Sequence, residues 1–259
     1  MQHRPRKRFG QNFLHEQSII DNIITAIAVK RQQNFVEIGP GLGALTNKLL
    51  AQVERLDVIE IDRDLIKHLQ QFNQANIQLT IHHSDVLDFD FKQLLHLPLR
   101  IVGNLPYNIS TPLIFHLLNY IEIIDDMHFM LQKEVVERIA ATPNTKNYGR
   151  LSVMLQYYCV ATKLFDVPAT AFKPQPKVES AMLRLTPHTK PPLKALNEAL
   201  FSQIVKTAFM HPRKMLGNNL KGLISATELQ NLSVNAKQRP QQLSVRHYVE
   251  IANYLAERH

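Results

Sequence analysis

Apolar residues recur at helical spacing over residues 18–29, where Ile19, Ile20, Ile23, Ile24 and Ile27 trace one face of an amphipathic helix. The period then shortens. Apolar runs at 35–38, 56–61, 77–82, 99–102 and 127–131 read as strands, with helical patterns among them at 44–52, 63–72, 111–120 and 133–141. Alternation of this kind builds a parallel sheet covered on both faces. Two further runs, 157–165 and 180–185, flank a Pro-containing loop and fit an antiparallel hairpin at a sheet edge. Beyond a linker expected at 186–192 only helical patterns appear, carried by Leu200, Ile204, Val205 and Ala208, then Leu216, Leu220 and Leu223, then Val245, Val249, Ile251 and Leu255. The expected organisation is an α/β domain over 1–187 and a small helical domain over 188–259.

Composition narrows the class. A chain of 259 residues with 45% hydrophobic and 20% charged positions is globular. Its single cysteine, Cys159, excludes a disulfide framework, and the 12 histidines lack ligand spacing, so no metal is expected. No apolar run approaches the ~18 residues of a membrane span. Gln11, Asn12, His15 and Glu16 stand where an apolar signal core would begin, so a cytoplasmic protein is expected. The net charge of +8 is segregated: +3 over 1–30, −1 over 31–187 and +6 over 188–259. A near-neutral body with basic ends suits a polyanion, since phosphate contacts dominate such affinities; a solubilising surface is the plainer alternative.

The most specific chemistry lies at 99–107. Leu99-Arg100-Ile101-Val102-Gly103 reads as a strand end, followed by Asn104-Leu105-Pro106-Tyr107. The Asn104 side-chain oxygen and the Leu105 carbonyl can accept both N–H donors of an exocyclic amino group, while Tyr107 stacks on its ring. Pro106 fixes φ and presets the acceptors. The same residues also make ordinary strand-ending turns, so the weight of this reading depends on the rest of the chain.

Glu37-Ile38-Gly39-Pro40-Gly41-Leu42-Gly43 sits between the first strand and its helix, where glycines admit a ligand to the backbone in an open α/β sheet. Glu60 ends the second strand, placed to accept ribose hydroxyls, and Asp85 follows the third, placed to accept from an adenine amino group. Neither G-x-G-x-x-G nor a P-loop occurs. A phosphate-free, cationic adenosine ligand suits these acids better than NAD, which points to S-adenosylmethionine.

In this order the segments resemble the ribosomal RNA adenine N6-dimethyltransferase family, specifically its bacterial small-subunit members. The resemblance runs through residues 8–14, Glu37 to Gly43, Glu60-Ile61-Asp62, Asp85, Asn104 to Tyr107, Gln132-Lys133-Glu134, Tyr148 to Ser152, Phe172 to Ser180, Phe209 to Lys214 and Leu220. It implies a class I methyltransferase fold, with a mostly parallel seven-stranded sheet and a small all-helical C-terminal domain. The implied partner is 16S rRNA in the small ribosomal subunit or its precursor, where two adjacent adenosines of the 3′-terminal hairpin are each methylated twice. By resemblance Asn12 and Leu14 close over the cofactor, Gly39 and Gly41 line it, and Asn104 lies between cofactor and target base. Phe172 becomes the candidate second stacking face opposite Tyr107. Arg4, Arg6, Lys7 and Arg8, with Arg213, Lys214 and Lys221, become candidate phosphate contacts. A monomer is expected. The competing readings are a large-subunit (23S) methylase of the macrolide-resistance type, a non-catalytic RNA-binding assembly factor that kept the fold, and a DNA adenine methyltransferase, for which Leu105 stands where a proline is expected.

Overall fold

The computed structural model describes residues 10–72, 78–190 and 193–258. In chain order the elements are β1 (Phe13–Leu14), α1 (Gln17–Ile27), β2 (Asn34–Ile38), α2 (Ala44–Leu50), β3 (Arg55–Glu60), α3 (Arg63–Leu69), β4 (Gln78–His83), β5 (Leu99–Asn104), α4 (Ser110–Leu118), β6 (Ile124–Gln132), α5 (Lys133–Ile139), α6 (Arg150–Tyr158), β7 (Cys159–Val167), β8 (Phe172–Lys173), β9 (Ser180–Pro187), α7 (Glu198–Ala208), α8 (Leu216–Asn219), α9 (Ala226–Asn231) and α10 (Val245–Ala256). Ile77, expected to open the third strand, lies outside the described residues.

Seven strands form one sheet in the order β4-β3-β2-β5-β6-β9-β7. The pairs from β4 to β6 are parallel, and β9 joins β6 antiparallel, with Met130 opposite Met182 and Gln132 opposite Ser180. Phe35, Val36, Ile38, Ile101, Val102, Met127 and Phe129 are buried, as a sheet covered on both faces requires. The chain enters at β2, runs outward through β3 and β4, then returns to β5 on the other side of β2. That reversal opens a crevice beyond the carboxyl ends of β2 and β5, where ligands of open α/β sheets bind.

The chain packs as two compact units, Met1–Val136 with Thr162–Pro187 and Glu137–Ala161 with His188–His259. The division differs from a single cut at 187, because residues 137–161 pack with the C-terminal helices. On α6, Val153, Met154, Leu155 and Tyr157 are all buried. The Tyr157 ring centre lies 4.6 Å from that of Phe201, and its hydroxyl accepts from Ala195 N and donates to Glu198. Covering these apolar groups is worth more than keeping the segment beside its sequence neighbours. The second unit contains 13 Lys/Arg against five Asp/Glu, the first 17 against 17, so the whole net charge belongs to the second. Among the described residues no helix is long and apolar enough to cross a membrane.

Candidate active site

A cavity of about 360 Å³ opens in the first unit at the ends of β2, β3 and β5. It brings together Asn12, Leu14, Gly39, Gly41, Glu60, Asp85 and Asn104 to Tyr107, which are scattered over 96 positions of sequence. Each arrives for a local reason. Gly39 has φ +64°, and open space lies where a side chain would project, so the backbone itself forms the wall. Gly41 has φ +60°, and a Cβ there would meet the Phe13 ring at 3.1 Å; glycine lets β1 lie across the turn.

Glu60 ends β3 and is buried. One carboxylate oxygen accepts from Ile61 N and Asp62 N, both at 2.9 Å, and the other from Gly41 N at 3.3 Å. A carboxylate has about four acceptor sites, so roughly one remains for a ligand hydroxyl. Burial pushes the Glu60 carboxyl up, opposed by those N–H donors. Asp85 accepts Leu87 N through one oxygen at 3.0 Å and lines the same wall. Glu37 on β2 is more deeply buried, with Thr46 Oγ1 donating to it at 2.6 Å. Burial, with the Glu60 charge nearby, raises it to about 7 in spite of that bond. Among the described residues three acids line the cavity, and no Lys, Arg or His does.

The Asn104 turn is set from two directions. Leu105 N donates to Met130 O at 3.2 Å, which continues the β5–β6 ladder past the end of β5. Asn104 Nδ2 donates to Asn12 O at 2.9 Å. A carbonyl can only accept, so the amide nitrogen must face Asn12 and the side-chain oxygen is left for another donor. No hydrogen bond reaches the Leu105 carbonyl among the described residues. The Tyr107 hydroxyl bonds Ser180 Oγ at 2.8 Å, and partial burial raises that phenol.

The segment after Gly10 is stitched over this region. Gln11 donates to Asp62 at 3.2 Å, His15 N to Ala171 O at 3.0 Å, and β1 pairs antiparallel with β8, Leu14 opposite Phe172. That pairing corrects one expectation. Phe172 is 3% exposed, packs in the core with Leu14, Val167 and Met182, and is absent from the cavity lining. Leu42, Ile61 and Val86 line the cavity and were not singled out from sequence; Leu42 and Ile61, each 40% exposed, stand next to a Gly turn and a strand-end acid, which was the available signal. Arg213, Lys214 and Lys221 are exposed around α8 of the second unit. Arg4, Arg6, Lys7 and Arg8 lie outside the described residues.

A family model described as ribosomal RNA adenine dimethylase matches residues 2–257. The "Ribosomal RNA small subunit methyltransferase A" of Legionella pneumophila (strain Corby) is 54% identical over 257 residues, covering 99% of this chain and 100% of the relative. Among solved structures, a dimethyladenosine transferase from Plasmodium falciparum superposes with a TM-score of 0.82 at 25% identity, covering 95% of this chain and 98% of its own. The 23S rRNA methyltransferase ErmE superposes with a TM-score of 0.73 at 24% identity, covering 93% and 100%, and shares the fold.

Proposed function

The chain belongs to the ribosomal RNA adenine dimethylase family, and from that premise we propose that it is a cytoplasmic, monomeric enzyme that dimethylates N6 of two adjacent adenosines in the 3′-terminal hairpin of small-subunit (16S) rRNA, with S-adenosylmethionine as methyl donor. The observation that carries this reading is the Asn104 amide. Its nitrogen is committed to Asn12, and among the described residues no hydrogen bond reaches its oxygen or the Leu105 carbonyl, two groups of residues that line the cavity. Two acceptors on a rigid turn match the two N–H groups of an adenine amino group.

The cavity fits the cofactor. A wall with three carboxylic acids and no cation among the described residues disfavours a pyrophosphate and favours a cation. Glu60 takes the ribose hydroxyls with its remaining acceptor site, Asp85 accepts from the adenine amino group, and Ile61 and Val86 supply apolar walls. When bound, S-adenosylmethionine supplies an electrophilic methyl group on a sulfonium. Gly39 and Gly41 admit it to the backbone, and Asn12 and Leu14 cover it.

An adenine N6 lone pair is delocalised into its ring and is a weak nucleophile. Acceptance of both N–H groups by Asn104 and Leu105 favours the pyramidal nitrogen and aims it, and the same oxygens stabilise positive charge as it develops there. Tyr107 stacks on the extruded base, a contact worth ~1–3 kcal/mol. No strong base is required, because the alkylated nitrogen loses its proton readily to water. After the first transfer one N–H remains, so one acceptor must yield to a methyl group. Arg213, Lys214 and Lys221 serve phosphate contacts on the unit that carries the net charge.

Labelled S-adenosylmethionine tests the assignment. The protein should label small ribosomal subunits that lack these methyl groups, and hydrolysed RNA should yield N6,N6-dimethyladenosine. Labelling of large-subunit RNA instead would establish the 23S reading, and binding of small subunits without any transfer would establish a non-catalytic factor.

A further inference from the structure

Strand β6 holds both sides of the Asn104 turn. Met130 pairs with Asn104 and accepts the Leu105 N–H, which sets the acceptor side. Two residues on, Gln132 pairs with Ser180, the first residue of β9. Lys133 N then donates to Glu179 O at 3.0 Å, so the β6–β9 pairing continues one residue into the loop before β9. The Lys133 ammonium closes the same place, 2.8 Å from Glu179 and 3.1 Å from Asp166. Ser180 is therefore fixed in position by the sheet and by this clamp. It is completely buried, and its hydroxyl meets the Tyr107 hydroxyl at 2.8 Å. Across the ring, the Tyr107 backbone is held by its own turn, where Ser110 Oγ donates to Tyr107 O at 3.1 Å. The Tyr107 hydroxyl oxygen lies on the χ2 axis, so a ring fastened at its backbone and at its hydroxyl has lost the freedom to swing about χ1.

We propose that Ser180 is a positioning residue for the methyl transfer, holding the Tyr107 ring in one place beside the turn so that a stacked adenine presents its amino group to Asn104 and Leu105. This rests on the rRNA adenine methyltransferase reading above and deepens it. Sequence places Ser180 at the end of the Phe172 to Ser180 segment, 73 residues from Tyr107, with no chemistry of its own to offer. Its role follows from geometry. A ring free to swing about χ1 still stacks, so binding of RNA survives; what is lost is the fraction of bound bases aimed at the two acceptors, a loss in kcat.

The test uses Ser180→Ala and Tyr107→Phe, singly and together, in the full chain. Methyl transfer to undermethylated small subunits is followed at saturating and limiting RNA, alongside affinity for S-adenosylhomocysteine by calorimetry. One lost hydrogen bond corresponds to roughly a fivefold effect. Each single variant should lower kcat by about that factor, with KM for the subunit and cofactor affinity within twofold of the wild type. The double variant should be no slower than either single one, because both remove the same bond. Wild-type kcat in Ser180→Ala, or losses that multiply in the double variant, would overturn the positioning role. Tyr107 is half-buried, so Tyr107→Phe breaks the bond from the more accessible side and decides the matter should Ser180→Ala fail to fold: an unchanged kcat in Tyr107→Phe overturns it equally. Failure of the wild-type protein to label small-subunit rRNA is a separate result and removes the underlying functional reading instead.

Discussion

The two ends of strand β5 treat polar groups in opposite ways. At its start Arg100 is 6% exposed, and every arm of its guanidinium is occupied. It makes a bidentate pair with Asp126 at 2.8 and 2.7 Å, bonds Gln33 at 2.7 Å and Ile27 O at 2.7 Å, and lies 4.9 Å from the Phe35 ring centre. At its finish Asn104 spends its nitrogen on Asn12 and, among the described residues, leaves its oxygen unspent. The carboxylates follow suit. Burial would raise Asp126, but His128, whose Nδ1 is 3.6 Å away, and Arg100 outweigh it and bring it to about 2. Glu37, near the other end of the neighbouring strand, has no cation beside it among the described residues and stands at about 7. Saturated polar groups serve stability, and polar groups left short of partners mark where a ligand completes the set.

Substitutions should separate the two ends cleanly. The largest effect is expected from Asn104→Ala, which should cut methyl transfer by about a thousandfold, the scale of losing an oxyanion-type group, while thermal melting stays within a few degrees of wild type. A variant that retained transfer would remove the two-acceptor pocket. Arg100→Met should do the converse. It strands Asp126 in a buried site and should cost about 3–5 kcal/mol in urea unfolding, with kcat of the folded enzyme retained; adding Asp126→Leu should recover much of the loss.

The carboxylates sharpen the comparison through pH. A depressed folded pKa stabilises above the unfolded value, so Asp126 should make the protein lose stability as pH falls from about 4 towards 2. A raised folded pKa acts in the other direction. Glu37 should lower stability as pH rises from about 4.5 to about 7, with little further change above, and Glu37→Gln should flatten that limb in urea titrations. Binding of the cationic cofactor should strengthen over the same interval as Glu37 ionises, and calorimetry would show a proton released on binding near pH 6. The smallest effect concerns Phe172. Replacement by Leu should cost roughly 1–2 kcal/mol of stability and leave kcat within twofold, as befits a core ring; a kcat loss without a stability loss would return it to the stacking role.

Legibility from sequence followed burial and length. Strands β2, β5 and β6 announced themselves because a strand covered on both faces is a continuous apolar run. Helix α6 did not, since side chains buried around most of its circumference leave no polar stripe to set a period. Its first residues carry no pattern that assigns an element, and Tyr157 and Tyr158 read as the start of a strand. Two-residue strands such as β1 and β8 are too short to carry any period. In the site, the acids at strand ends were readable because topology alone puts them at the crevice. The orientation of the Asn104 amide was not, as it depends on a carbonyl 92 positions away. Nor was the burial of Phe172, which depends on its pairing with Leu14 from the other end of the chain.

That pairing has a consequence for how the enzyme comes into being. The roof of the cavity is an early segment of the chain tied to a late one: Phe13 and Leu14 wait for Lys173 and Phe172, and His15 waits for Ala171. A nascent chain emerging from the ribosome can lay down β2, β3 and β5 and still hold an open crevice. Only when about two-thirds of the polypeptide has been made can the arm be fastened and the cavity be closed.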